Sequence, residues 1–390
     1  MIQPRYLSMF FAGLVLWLAL HLAFVLIVDP YRVSPFQVSW KAGNLHKPKR
    51  IDIDRLIKPF EVWRNTPRTI FLGTSRIHQA IVPSHLNGTR YAPAYNASIP
   101  ASTLQLSFSH LQKYIELDPD LKTIFIELFF SHFLDYHYPV AMPEAGPVPL
   151  VDVLRDASVL FVSGDAFLAS VQTLYYNSEF APPCPEIHPE GYITYPYARN
   201  RSAKGNFDGF NAPFGIWKTH GSAIHAGNQF KLQESAFTAV EEMVKLCKAR
   251  GVDLMFVLTP THAYHDYYFD SFGGTKLVAE WLKRVSAVAE VYTIPLPSEV
   301  VYEPVQAAGM RYWSDPIHFT IETGWMIENA LSGINSGRTS DKFAVRMRPD
   351  LVDGYLQDCE KSLMLWVSKN PDFVAAFQYG RQTWEAANPP

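Results

Sequence analysis

The first pattern along the chain is an unbroken apolar run. Residues 6–28 contain no Asp, Glu, Lys or Arg, and a helix of about 20 apolar residues is what the hydrocarbon core of a bilayer requires. Arg5 precedes the run, and Asp29-Pro30-Tyr31-Arg32 closes it. No small-x-small cleavage site accompanies it, so it reads as an uncleaved anchor rather than a signal peptide. A terminal helix that is apolar on every face suits lipid better than a folded core. The anchor is therefore assigned to residues 1–30.

The pattern then changes twice. Residues 31–66 form a connector of scattered charges with one short helix near 51–63. From residue 69 short apolar runs alternate with segments of helical spacing. Residues 69–72, 91–97, 121–128, 252–258 and 291–294 read as strands, bounded by glycine, proline or polar turn residues. Residues 102–117, 231–250, 276–287 and 322–331 read as helices, and Gly251 is placed to stop the second of them. Strands alternating with helices predict an α/β domain whose mainly parallel sheet is covered on both faces, a doubly wound three-layer fold. Ligands of such sheets bind beyond the carboxyl ends of the strands. The alternation breaks over about 131–230, which is rich in Pro, Tyr and Gly and has helical pieces near 150–160 and 166–176; this stretch reads as an irregular insertion. The domain is thus expected over 67–338, with a helical C-terminal tail over 339–390.

Composition narrows the function more than the fold. A net charge of only −3 gives no basic field, so nucleic acid is not expected as a partner. The three cysteines (Cys184, Cys247 and Cys359) are far apart and form no CxxC, which supports neither a zinc knuckle nor a thiol redox site. Cys247 falls on the apolar face of its helix and reads as packing. No metal or cofactor is implied. Charge leaves the orientation open. Arg5 stands before the span, and Arg32, Lys41, Lys47, Lys49 and Arg50 after it, which taken literally puts the large domain in the cytoplasm. Long domains, however, translocate largely regardless of flanking charge.

Two motifs carry candidate chemistry. Gly73-Thr74-Ser75-Arg76 follows the first strand directly, so Ser75 would sit on a strand-to-helix turn near free helix amides. By itself the tetrapeptide also suits a helix N-cap. Trp313-Ser314-Asp315-Pro316-Ile317-His318-Phe319 precedes the last helix of the domain. An Asp three residues before a His can accept its Nδ1 proton, which fixes the tautomer and leaves Nε2 as a base.

Together these motifs resemble the SGNH or GDSL hydrolases. Gly73 to Arg76 looks like the family's first block, with Ser75 as nucleophile, and Asp315 to His318 looks like its last. Tyr95-Asn96-Ala97-Ser98-Ile99-Pro100-Ala101 resembles the second block, with Ser98 where the family has an oxyanion glycine. The resemblance thus puts Asn96 and Ser98 among the oxyanion- or substrate-binding residues. Ile126-Glu127-Leu128-Phe129-Phe130 stands where the third block is due, with Phe129 in place of its asparagine. The anchor makes the chain resemble the branch that includes alginate O-acetylation proteins and the D-alanyl transfer protein of teichoic acids. That resemblance implies an SGNH, flavodoxin-like fold and an O-acyltransferase, with acetyl passing to an envelope polysaccharide. It also implies a periplasmic or extracellular domain on the cytoplasmic membrane, and a multi-spanning O-acyltransferase as partner. An esterase, or a non-catalytic subunit that binds glycan or the acyltransferase, are the alternatives.

Three further features are ambiguous. Arg76 either holds an anionic sugar or acyl-carrier phosphate or packs over the sheet edge. His262-Ala-Tyr-His265-Asp266 has a metal-like spacing, but reads as a polar loop at the mouth of the site. There Pro260-Thr261-His262 resembles the Pro-x-His segment of the anchored branch, which makes His262 a substrate contact. The aromatics Tyr192, Tyr195, Tyr197, Phe207, Phe210 and Trp217 suit either a sugar platform or a small irregular core.

Overall fold

A computed structural model of the chain describes residues 4–36, 40, 43–134, 150–195, 231–271, 274–306, 310–334 and 343–387. In chain order the helices are α1 (Pro4–Val28), α2 (Asp54–Asn65), α3 (Ser75–Ala80), α4 (Leu104–Leu117), α5 (Leu150–Phe161), α6 (Gly164–Tyr176), α7 (Glu234–Arg250), α8 (Ala263–Asp270), α9 (Thr275–Val288), α10 (Ser298–Val301), α11 (Ile321–Ser332), α12 (Val352–Lys369) and α13 (Pro371–Ala387). The strands are β1 (Thr69–Leu72), β2 (Ala94–Asn96), β3 (Thr123–Leu128), β4 (Glu186–Ile187), β5 (Ile193–Thr194), β6 (Asp253–Leu258), β7 (Val291–Thr293) and β8 (Val345–Met347). They form two units. The described residues of 1–65, 145–189 and 193–196 make the first, and those of 66–144, 190–192 and 197–390 the second. The connector and the helical part of the insertion therefore belong together, a grouping that no local pattern displays.

The second unit is α/β. Its six-stranded sheet has the order β2-β1-β3-β6-β7-β8. Every neighbouring pair is parallel except β7 with β8. β1 and β3 are buried along their whole length, as apolar runs in a sheet covered on both faces must be. The chain steps from β1 outward to β2, then returns past β1 to β3. Crossovers of this kind are right-handed, so α3 covers one face while α4, α7 and α9 cover the other. Accordingly α4 packs on α7 and α7 on α9, whereas α3 packs on α11. The direction of winding reverses between β1 and β3, the position at which ligands bind in sheets of this kind. Phe71, Phe125 and Tyr91 fill the core beneath it, with ring centroids 5.0 and 5.2 Å apart.

Most expected elements are present with ends moved by a few residues. α4 starts after Thr103, whose hydroxyl accepts from Leu106 N at 3.2 Å. α7 ends on Gly251 at φ 66, a left-handed position where glycine has no Cβ penalty, and Cys247 is buried on its inner face. The tail was expected to be helical only; it also contributes β8, which closes the sheet edge antiparallel to β7. Residues 262–266, read as a polar loop, are instead the N-cap and first turn of α8.

The first unit is helical, with a two-stranded β4–β5 ribbon. α1 is long and apolar enough to cross a membrane, and its side chains are exposed from Arg5 to Leu20. Asp29 ends it in the left-handed region at φ 49, and Pro30 prevents its continuation. Beneath that end lies a cluster of buried charges. Lys47 Nζ donates to the carbonyls of Val28 and Asp29, satisfying acceptors that a helix end leaves open. Arg50 pairs with Glu61, both without exposure. Burial pulls Lys47 and Lys58 down to about 8.

In the second unit α3 begins at Ser75 and α11 starts three residues after His318, so the contact between these helices positions both motifs. A Cβ built on Gly324 would lie 1.9 Å from the Ala80 carbonyl oxygen, so the two backbones touch and only glycine fits. Gly324→Ala is expected to lower stability by about 3 kcal/mol, the upper part of the range for overpacking, read as a fall in thermal midpoint. A midpoint equal to wild type would show that the helices do not pack this closely.

Candidate active site

β1 delivers Ser75. Its last residue, Leu72, is followed by Gly73, where a Cβ would stand 2.9 Å from the Glu127 carboxylate and 2.7 Å from Ile77. Thr74 then caps α3, its hydroxyl accepting from Arg76 N at 3.3 Å. Its own amide donates to Glu127 Oε2 at 2.7 Å. Among the described residues this leaves the Ser75 amide uncommitted at the start of the helix. Ser75 itself is partly exposed at the carboxyl edge of the sheet.

The partner comes from a small loop before α11. Trp313 and Phe319, both fully buried, form an antiparallel bridge at its base. Trp313 Nε1 donates to the Val300 carbonyl at 2.6 Å, and Ser314 N donates to the His318 carbonyl at 2.8 Å. Within the loop Asp315 Oδ1 accepts from the amides of Ile317 and His318 at 2.9 and 2.8 Å. That fixes the carboxylate, and Oδ2 accepts from His318 Nδ1 at 2.6 Å. With Nδ1 as donor, Nε2 is left to accept, and it lies 2.7 Å from Ser75 Oγ. Burial alone would raise the Asp315 carboxyl. The hydrogen bond and charge of His318, with the two amides, outweigh burial and hold it below its ordinary value. The His318 and Asp315 side chains keep 23 and 34% exposure, so a substrate has access to them. Ser75, His318 and Asp315, 240 or more residues apart in sequence between the first and the other two, are brought together as expected.

Arg76 is where the structure corrects the sequence. It is 1% exposed and its guanidinium is turned onto partners inside the protein, the packing role rather than the anion-holding one. Nε donates to the Ile317 carbonyl at 2.8 Å, Nη2 donates to the Pro260 carbonyl, and Nη1 lies 3.2 Å from Glu127 Oε1. Phe129 and Phe319 flank it, with ring centroids 4.8 and 5.7 Å from the guanidinium carbon. Burial pulls its pKa down, and Glu127 opposes that. Phe129, where the resemblance has an oxyanion asparagine, therefore covers the ion pair.

The other three candidates are likewise turned inward. Asn96 is buried and its Nδ2 donates to the carbonyls of Ile77 and Ile81, both at 2.9 Å, so it holds the end of α3. Its Oδ1 accepts from Ser98 N at 3.1 Å. The Ser98 amide is thereby used, and those of Ala97 and Ile99 donate to the carbonyls of Phe71 and Gly73. The second-block segment thus offers no oxyanion donor at Ser98. His262 is fully buried as the N-cap of α8: Nδ1 accepts from Tyr264 N at 3.1 Å, and Nε2 donates to the Glu303 carbonyl at 2.8 Å. Both ring nitrogens are taken, which excludes His262 as a substrate contact or a metal ligand. Of the aromatic platform, Tyr192 and Tyr195 fall in different units, while Tyr197, Phe207, Phe210 and Trp217 lie outside the described residues.

Sequence reading missed Glu127. It binds Thr74 N, Arg76 and Thr259 Oγ1 (3.1 Å) at once. The signal was present: a carboxylate inside the apolar run of β3 must be buried, and a buried charge requires partners. A cavity of about 450 Å³ also opens beyond the carboxyl ends of β3 and β6, with Phe129, Phe130, Trp281 and Leu363 among its walls. Ser75, Asp315 and His318 do not line it. Compared with protein-family models, curated proteins and solved structures, the chain matches none.

Two measurements test these roles. Arg76→Met leaves Glu127 buried without its charge partner and is expected to cost about 3–5 kcal/mol, part of which Glu127→Gln in the same chain should restore. Full stability of the single variant would remove the ion pair from its place in the fold. Burial pushes His262 from 6.5 down to about 4. Its contribution to stability is therefore present above about pH 6.5 and lost as pH falls toward about 4. The thermal midpoint should fall between about pH 7 and about pH 5, and fall less in His262→Asn, which retains a capping side chain without the titration.

Proposed function

We propose that the chain is a membrane-anchored SGNH-type O-acyltransferase that forms an acyl-enzyme on Ser75. One observation carries this reading: the unbroken hydrogen-bond chain from Ser75 Oγ through His318 to Asp315, at 2.7 and 2.6 Å. It lies at the point where the sheet reverses its winding, as binding sites in doubly wound sheets do. The parallel strands have the order of flavodoxin-type sheets, which agrees with an SGNH assignment.

His318 Nε2 takes the proton of Ser75 as Oγ attacks the acyl carbonyl carbon. Asp315 stabilises the imidazolium and keeps the ring oriented. The carbonyl oxygen, now anionic, is held by the Ser75 amide at the helix start. His318 returns the proton to the leaving group as the intermediate collapses to the acyl-enzyme. An acceptor hydroxyl then gives its proton to Nε2 and attacks the same carbonyl; as this second intermediate collapses, the acyl–Oγ bond breaks and His318 returns the proton to Ser75 Oγ. The resemblance makes acetyl the group, an envelope polysaccharide the acceptor and a multi-spanning O-acyltransferase the partner.

The structure also bears on which side of the membrane the enzyme unit occupies. Two of the basic residues after the span have structural employment: Lys47 ends α1 and Arg50 pairs with Glu61. Their presence thus has a cause other than cytoplasmic retention, so the charge count does not oppose the outside placement that the resemblance implies. A second reading, a partner subunit without turnover, is favoured by the committed amides of residues 97–99. An oxyanion donor is worth on the order of 10²–10³ in rate, and Ser98 supplies none.

Full-length protein in detergent micelles should be labelled by a fluorophosphonate at Ser75, seen as a mass increase on the peptide that contains it. Ser75→Ala should abolish labelling, and Asp315→Asn should slow it on the order of 10⁴-fold by disturbing the imidazole tautomer. Wild-type protein that stayed unlabelled would favour the subunit reading. Label unchanged in Ser75→Ala would end the nucleophile assignment. Added glycan that diverts acyl groups from water would separate transferase from esterase.

A further inference from the structure

Helix α6 has its large and small residues on the wrong faces for a water-soluble helix. Ala166, Ala169, Ser170 and Thr173 form its buried side. Phe167, Leu168, Val171 and Tyr175 stand outward, at 42, 59, 45 and 51% exposure. Phe167, Val171 and Tyr175 are four residues apart in turn, so they make one stripe along the helix. Inward small residues with outward large apolar ones are the pattern of helices packed within a bilayer, where close backbone approach replaces the hydrophobic effect. Ser170 fits the same surroundings, since its hydroxyl is satisfied within the helix by the Ala166 carbonyl at 2.8 Å.

α6 packs directly on α1. Phe167 stacks on His21 and meets Phe24 at a tilt, with ring centroids 5.6 and 5.3 Å apart. Val25 shares a buried cluster with Ala166 and Ala169. His21 and Phe24 precede Val28, the last residue of α1, by seven and four positions, roughly 6–10 Å along the helix axis. The contact therefore lies inside the apolar span rather than beyond it. His21, the polar side chain in that stretch, is 5% exposed, shielded where it would otherwise face hydrocarbon. An 18-residue window within Arg155–Tyr176, the segment that includes α6, has a mean hydropathy of 1.4, with Asp165 and Gln172 the exposed polar residues of the helix's outer side.

We propose that α6 is a second membrane-embedded helix, seated beside α1 in one leaflet, with Phe167, Leu168 and Val171 against lipid acyl chains and Tyr175 at the headgroup level. Aromatic residues with a polar tip favour that level. The inference rests on α1 spanning a bilayer, and is independent of the chemistry at Ser75. It makes the first unit a two-helix membrane foot whose loss of either helix would expose apolar surface to water.

Full-length protein carrying Cys184→Ser and Cys359→Ser, with one cysteine at position 168 or 171, is labelled with an environment-sensitive fluorophore and reconstituted in phosphatidylcholine–phosphatidylglycerol vesicles. Leu20→Cys reports on α1 and Glu241→Cys on water. Labels at 168 and 171 should be blue-shifted and quenched by nitroxide-bearing lipids like the label at 20, while the label at 241 should be quenched by aqueous iodide. If the label at 20 is quenched by lipid but those at 168 and 171 are reached by iodide, α6 lies outside the bilayer and the proposal fails. Shielding of 168 and 171 from both quenchers would assign the face to a second copy of the chain and overturn the lipid assignment. If the label at 20 also escapes lipid quenching, the anchor itself is disproved, an outcome distinct from failure of α6 alone.

Discussion

Arg76 and Glu127 form an ion pair from which water is excluded, and the geometry at Ser75 depends on it. Burying two charges costs several kcal/mol each, and attraction offsets that only when the remaining hydrogen-bonding capacity is also met. Here main-chain groups meet part of it: Arg76 Nε and Nη2 donate to the carbonyls of Ile317 and Pro260, and Glu127 accepts from Thr74 N, while Nη1 faces the carboxylate without a well-formed hydrogen bond. Those groups belong to the segments that leave β1 and β6 and to the loop that carries His318. Apolar residues of equal volume would stabilise the sheet edge as well or better. They would not hold an amide and two carbonyls at fixed positions. The ion pair thus helps set the separation of Ser75 and His318 without touching Oγ or Nε2.

The same logic explains why so many polar residues near Ser75 are unavailable to a substrate. The turn after β1, the segment after β2 and the start of α8 all pass through the interior as irregular backbone, whose amides and carbonyls need partners. Asn96 serves the end of α3, and His262 serves the start of α8. Each looks like site chemistry in a sequence because its polarity is conspicuous beside apolar neighbours. Each is instead satisfied by the backbone it supports. Among the described residues around Ser75, what stays open at the sheet edge is its hydroxyl and amide with the His318 imidazole and the Asp315 carboxylate.

A second set of buried charges performs the corresponding task in the first unit. The end of α1 leaves carbonyls without intrahelical partners, and Lys47 reaches them while Asp29 accepts from Val33 N and Ser34 N at 2.8 and 2.9 Å. The transition from an apolar helix to a folded unit is therefore made rigid within a few residues. Lys47, which a sequence count treats as a topological signal, proves to be a ligand for backbone, and Arg50 a partner of Glu61.

The sequence by itself determined whatever depends on periodicity and local spacing. Residues 6–28 must be an apolar helix because no side chain there interrupts it, and the alternation from residue 69 must give a mainly parallel sheet because strands separated by helices cannot pair as hairpins. Asp315 and His318 were legible because three residues suffice to bring a carboxylate to its own histidine. Only the tertiary structure decided the rest. That Ser75 meets His318 across the sheet edge depends on α11 lying against α3, which Gly324 permits through a contact with a residue far away in sequence. That Arg76 is a strut and Ser98 is silent depends on which carbonyls and carboxylates stand opposite them, and such partners come from other strands. That the described residues of 145–189 join those of the first 65 into one unit, with the small side of α6 turned inward and its large side outward, rests on packing between distant segments. Local pattern records what a residue can do. The partners that satisfy it, and so leave it free or bound, are chosen in three dimensions.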